Sequence, residues 1–156
     1  MTPLLELSGV SLSFAGNRVL DRVDFSVPAG AVVSLIGPNG AGKTSLFNCI
    51  TGFYKPQDGA VRFDGRETLR LKPHQITQAG IARTFQNVRL FREMSVLENV
   101  MSGMHCRTRA GAIAAILGLP SQRREEAEIR NFSEDCLAFV GIAEGWHREA
   151  TTLPYG

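Results

Sequence analysis

From Leu5 to Phe14 apolar side chains fall at Leu5, Leu7, Val10, Leu12 and Phe14, with Ser11 and Ser13 between the last three, the period of a strand with one face buried. Gly16-Asn17 supplies turn chemistry, and Val23, Phe25 and Val27 then alternate with Asp24 and Ser26 until Pro28-Ala29-Gly30 breaks the pattern. These two segments predict an antiparallel layer with one face in water. Ala31 to Ile36 differs, because it is nearly all apolar, and that predicts a strand of a parallel sheet covered on both faces. After the glycines that follow, Leu46, Phe47, Cys49 and Ile50 recur at helical spacing, and Gly52 stands where a left-handed residue would end the helix. Asp58-Gly59 and Asp64-Gly65 bracket Ala60 to Phe63, a short strand pattern returning to the antiparallel layer. From Pro73 the chain becomes more helical. The clearest case is Ser121 to Val140, where Ser121 can cap the start and Ile129, Phe132, Cys136, Phe139 and Val140 form one stripe, with Glu126 and Arg130 on a solvated face.

Composition narrows the class. With 44% hydrophobic and 21% charged residues the chain reads as globular and lacks the signature of disorder. The net charge of +2 is spread along the sequence, so no nucleic-acid groove is expected. The longest apolar run, Ala110 to Leu119, is about half of what a membrane-spanning helix requires, and Met1 onward shows no secretion signal. Cys49, Cys106 and Cys136 form no CxxC pair, which predicts small thiols in a reducing compartment in place of a disulfide framework or zinc site.

The chemistry lies in Gly37-Pro38-Asn39-Gly40-Ala41-Gly42-Lys43-Thr44, which fits G-x-x-x-x-G-K-[ST] between an apolar segment and a helical one. Glycines let the backbone close round phosphate without a Cβ in the way, so the N–H groups from Gly40 to Ser45 are expected to point inward and the backbone from Asn39 to Ser45 to hold the nucleotide. The helix opening near Gly42 adds unpaired N–H groups and the positive end of its dipole. Lys43 is expected to supply a mobile charge for the β and γ phosphates, and the Thr44 hydroxyl is a short neutral oxygen that can ligate Mg2+. Nucleotide binding is the resulting expectation, with ATP and Mg2+ as the cofactors.

These residues resemble the ABC ATPase family. The resemblance rests on Gly37 to Ser45, on Gln86 within Arg83-Thr84-Phe85-Gln86, and on Met94-Ser95-Val96-Leu97-Glu98-Asn99, and it runs over essentially the whole chain. Thr51-Gly52-Phe53-Tyr54-Lys55-Pro56 and Arg83 to Phe91 look most like the ATP-binding subunit of branched-chain amino acid importers. The resemblance implies an α/β fold, a P-loop NTPase core with an N-terminal antiparallel β subdomain and a C-terminal helical subdomain. Residues 1–30 and 57–72 would form the β layer, 31–56 the P-loop strand and helix, 73–94 the Q-loop region and 95–156 the helical subdomain.

It further implies that Phe14 stacks on adenine with Val19 lining the same patch, and that Gln86 reaches Mg2+ and the attacking water and senses the membrane partner. Read from the residues alone, Phe14 ends an alternating strand near a turn, and a core aromatic of the β layer is the lesser alternative. Leu153-Pro154-Tyr155-Gly156 looks like the opening of the signature sequence, so the Walker B carboxylates and the switch histidine are expected beyond Gly156. His74, His105 and His147 all precede that place and are expected at the surface or in packing. The implied partners are transmembrane permease subunits and a second ATP-binding subunit in a head-to-tail dimer, at the cytoplasmic, inner face of the plasma membrane. Three readings stand side by side: an energy-coupling ATPase subunit, another P-loop protein such as a small kinase or GTPase sharing only Gly37 to Thr44, and a truncated remnant that binds nucleotide without turnover. The Ala110 to Leu119 run is either a helix packed on its own domain or a surface against a membrane subunit.

Overall fold

The computed structural model describes residues 3–84, 90–104, 120–142 and 144–153. The chain divides into two compact units, Met1–Thr84 and Phe85–Gly156.

The first unit is a four-stranded antiparallel sheet with one helix on its inner face. Strands β1 (Leu5–Phe14) and β2 (Asn17–Val27) are joined by Ala15-Gly16, both at positive φ (47° and 83°), the type I′ geometry that matches the twist of a tight hairpin. Strands β3 (Asp58–Phe63) and β4 (Arg66–Glu67) complete the order β2-β1-β3-β4. Leu7 pairs with Phe25 and Val10 with Val23, so three steps along β1 oppose two along β2. That extra residue is a bulge, and it keeps Leu5, Leu7, Val10 and Leu12 on one face although their spacing changes parity. The inner face joins Leu20 and Val61 to Leu46, Cys49 and Ile50 of helix α1 (Lys43–Ile50). A fully buried side chain of this size contributes about 1.5–3 kcal/mol.

Gly52 ends α1 at φ +76° as the sequence predicts. A Cβ there would stand 2.6 Å from Ile76 Cδ1, the buried residue of helix α2 (Pro73–Ala79). The glycine thus lets α2 seat against the end of α1 as well as reversing the chain.

Two expectations for this unit are corrected. Ala31 to Ile36 forms no strand: Val32 is 98% and Ile36 90% exposed, and only Leu35 packs on the core. A strand needs a neighbour for its N–H and C=O groups, and no segment among the described residues pairs with this one. Phe47 is half exposed, since the buried positions of α1 are Leu46, Cys49 and Ile50, the i, i+3, i+4 stripe facing the sheet.

In the second unit, helix α3 (Val96–Gly103) opens with a capping box. Ser95 Oγ accepts from the Glu98 N–H while the Glu98 carboxylate accepts from the Ser95 N–H at 2.8 Å. Helix α4 (Pro120–Phe139) ends at Gly141, with the Ile142 N–H donating to the Leu137 carbonyl and the Gly141 N–H to that of Ala138, a Schellman closure. Val96, Leu97, Leu137 and Ala150 form the core, with Val100, Met101, Ile142 and Trp146 packed on it.

The apolar stripe expected on α4 is also corrected. Leu137 and Ser133 are its buried positions, Ile129 and Cys136 are half-buried, and Phe132, Phe139 and Val140 are exposed. The inward face is set by where α3 lies, and it carries a serine that a count of apolar residues passes over. The expected cap at Ser121 is corrected too, since α4 already includes Pro120 and Ser121 falls within the helix. The Ala110 to Leu119 run, His105 and Cys106 lie outside the described residues. His74 and His147 are both exposed.

Candidate nucleotide-binding site

The site is built where the hairpin meets α1. Gly42 is the residue before the helix, at φ +84°, and a Cβ on it would come within 2.9 Å of both Leu20 Cδ2 and the Val19 carbonyl oxygen. Only glycine combines that backbone with that approach, so Gly42 is what presses the loop onto β2. The consequence is a cavity of about 350 Å³ lined by Val19, Asn39, Gly40, Gly42, Lys43, Thr44 and Ser45.

The electrostatics of this cradle are one-sided. The first i→i−4 bond of α1 runs from the Leu46 N–H to the Gly42 carbonyl at 2.9 Å, so the N–H groups of Lys43, Thr44 and Ser45 have no carbonyl four residues back to bond. Together with the helix dipole they make an anion seat. The Lys43 ammonium donates to the Gly37 and Pro38 carbonyls, each at 2.6 Å, which holds it across the loop. No carboxylate is among the lining residues. The donor set fits a phosphate group, and Thr44 brings a hydroxyl oxygen to the same lining.

Of the residues singled out from sequence, Val19, Asn39, Gly40, Gly42, Lys43, Thr44 and Ser45 come together in one cavity. Ala41 does not line it. Its N–H donates instead to the Pro38 carbonyl at 3.3 Å, closing a turn inside the loop. Phe14 stands at the end of β1, 43% exposed, with its ring edge-on to Tyr54 at 5.1 Å and 73°. That exposure contradicts a core role for Phe14. Gln86 and the terminal Pro154-Tyr155-Gly156 lie outside the described residues.

Sequence reasoning gave no part to Gln57 or to the Asn48–Arg83 pair. Arg83 donates to Asn48 Oδ1 at 2.6 Å, tying the segment after α2 to the P-loop helix. No local pattern announces contacts across 35 and 44 residues. Cys49 packs under the same helix, where burial pushes its thiol up to about 11, so it stays protonated at neutral pH and acts as a small apolar residue.

A hairpin pressed onto a glycine-rich loop, with a helix N-terminus and a lysine turned to one cavity, defines a P-loop nucleotide-binding domain. The profile of the ABC transporter family matches residues 20–153, and the chain belongs to that family. It is 44% identical over 154 residues to the high-affinity branched-chain amino acid transport ATP-binding protein BraF of Pseudomonas aeruginosa. It is 41% identical over 154 residues to the corresponding protein LivG of Escherichia coli strain K12. Both alignments take in 99% of this chain and 60% of the relative, so the chain spans about three-fifths of the length of these relatives. Among solved structures, the ADP conformation of an ATP-binding cassette of an ABC transporter superposes with a TM-score of 0.79 at 31% identity. A nucleotide-free ATP-binding cassette does so with a TM-score of 0.76 at 31% identity. These cover 99% and 98% of this chain and 60% of the solved chains.

Proposed function

We propose that the chain binds ATP with Mg2+ in the Gly37–Ser45 cradle and serves as the front part of the ATP-binding subunit of an importer for branched-chain amino acids. The observation that carries this reading is the single cavity uniting Val19 with Asn39, Gly40 and Gly42 to Ser45. The N–H groups of Lys43, Thr44 and Ser45 take phosphate oxygens, and the Lys43 ammonium exchanges the Gly37 and Pro38 carbonyls for them. Val19 meets the nucleoside, and Phe14 stacks on adenine, a contact worth roughly 1–3 kcal/mol by analogy with bases on aromatics. When bound, Mg2+ supplies charge neutralisation on the β and γ phosphates, with Thr44 and Gln86 as its protein ligands. The 44% identity to BraF supports the importer role. That role brings with it transmembrane permease subunits, a second ATP-binding subunit packed head to tail, and a place at the inner face of the plasma membrane.

Calorimetry with Mg2+ and ATP tests the site. Lys43→Ala is expected to weaken binding at least tenfold, because a charge-assisted contact is worth about 1.5–3 kcal/mol. Unchanged affinity sinks the assignment.

Binding without turnover is the second reading for these 156 residues taken alone, and the lining itself favours it. Phosphoryl transfer in P-loop ATPases needs a positioned base for the attacking water and a carboxylate that holds Mg2+ beside the loop hydroxyl, and among the described residues the lining of the cradle holds neither an Asp nor a Glu. Phosphate release by the 156-residue chain should stay at background. Lys43-dependent release would contradict this reading.

A further inference from the structure

We propose that Tyr54 and Gln57, in the connector between α1 and β3, are positioning residues that present Phe14 to the nucleotide base. The inference rests on the stacking reading of Phe14 given above.

Three contacts converge on the end of β1. The Gln57 side-chain amide accepts from the Ser13 N–H at 2.9 Å and donates to the Ser13 carbonyl at 3.1 Å. It therefore takes both backbone groups of the residue before Phe14, as a neighbouring strand would. The Gln57 N–H donates to the Ser11 carbonyl at 2.9 Å, extending the pairing of Ser11 with Asp58 where β3 begins. Tyr54 then fixes the ring by its edge contact with Phe14.

The other end of the connector is anchored too. The Tyr54 N–H donates to the Asn48 carbonyl of α1 at 3.0 Å. The helix whose first turn faces the phosphates thus continues into the segment that holds the base-stacking side chain.

Physically, an exposed aromatic at a hairpin tip samples several rotamers, and ordering it on binding would reduce affinity. Here the backbone before Phe14 is fixed by two hydrogen bonds, and the ring is restrained by an aromatic neighbour before any ligand arrives. With 43% of Phe14 still exposed, ring surface remains for a base. Both residues thus act on affinity for the base and not on affinity for the phosphates.

The experiment compares ATP with inorganic tripolyphosphate, which has no base, each with Mg2+, on the full chain. Tyr54→Ala and Gln57→Ala are each expected to weaken ATP binding roughly three- to tenfold, as loss of an aromatic pair allows. Tripolyphosphate affinity should stay within about twofold of wild type, since P-loop contacts are untouched. Tyr54→Phe keeps the ring contact and should bind both ligands as wild type does. If Tyr54→Ala does not fold, Tyr54→Leu keeps the bulk without the ring and reads the same ratio. Equal weakening of both ligands would reduce the two residues to a structural role and overturn the proposal. Wild-type ATP affinity in both alanine variants, beside a loss in Phe14→Ala, would overturn it while leaving the stacking reading intact. Wild-type ATP affinity in Phe14→Ala removes both.

Discussion

The β1–β2 hairpin and the Ala31–Ile36 run are both strand-like by residue type, yet only the hairpin is a strand pair. The hairpin carries its partner within itself: Ala15-Gly16 returns the chain, Leu5 meets Val27, and Phe14 meets Asn17. Ala31 to Ile36 has the stronger apolar pattern and no partner among the described residues, so its backbone stays irregular and Val32 and Ile36 face solvent. Hydrophobicity therefore states a demand for burial, while local turn chemistry decides whether the demand is met nearby.

The largest effect should come from breaking the side that is met. Leu7→Ala removes a side chain 2% exposed at the centre of the sheet core and is expected to cost about 2–5 kcal/mol in denaturant unfolding. Ile36→Ser, at 90% exposure, should stay within about 0.5 kcal/mol. A large loss on Ile36→Ser would show that the apolar run is buried in solution, and the contrast would collapse.

Next in size is Gly42→Ala, at the seam between the hairpin and the loop. The left-handed backbone alone costs about 1–3 kcal/mol for a residue with a Cβ. The 2.9 Å approach to Leu20 and Val19 must then open, so nucleotide affinity should fall together with stability. A Gly42→Ala chain with wild-type melting and wild-type ATP binding would show that the loop is not held as described.

The smallest effect sharpens a second contrast, between the unit that is built on a sheet and the one that is built on helix ends. Ser95→Ala should cost about 1 kcal/mol through loss of the α3 cap. The Ser95 N–H, and after it the Ser95 hydroxyl, hold the Glu98 carboxyl below its ordinary value of 4.5, with a further pull from Arg130. A lowered folded pKa means stability that is present above the unfolded value and lost as pH falls through the folded one. Acid unfolding followed below about pH 4.5 should therefore be shallower in Glu98→Gln than in wild type. Identical acid profiles would remove the capping box as the cause.

Much of this was legible in sequence because its physics is local. Period-two alternation gave β1 and β2, glycine gave the end of α1, and the spacing of Gly37, Gly42, Lys43 and Thr44 pointed to the loop that lines the cavity. What escaped depended on distant neighbours. The buried face of α4 is set by α3, and it buries Ser133, whose hydroxyl has no hydrogen-bond partner among the described residues, while leaving Phe139 in solvent. Gln57 reaches Ser13 across 44 residues, a contact that neither residue's own surroundings suggest. Ala41 sits inside the motif yet spends its N–H on Pro38, because the motif specifies the loop and not which of its amides faces inward.

One cavity, formed by Val19 and the loop from Asn39 to Ser45, is proposed to receive the nucleotide. Residue-resolved amide exchange or amide chemical shifts, with and without Mg2+ and ATP, test it most directly. The expected result is protection or shift at Gly40 and at Gly42 to Ser45, with a smaller response at Val19 and none in the α3 capping box. Saturable binding of ATP with no response from Gly40 to Ser45 would contradict the account.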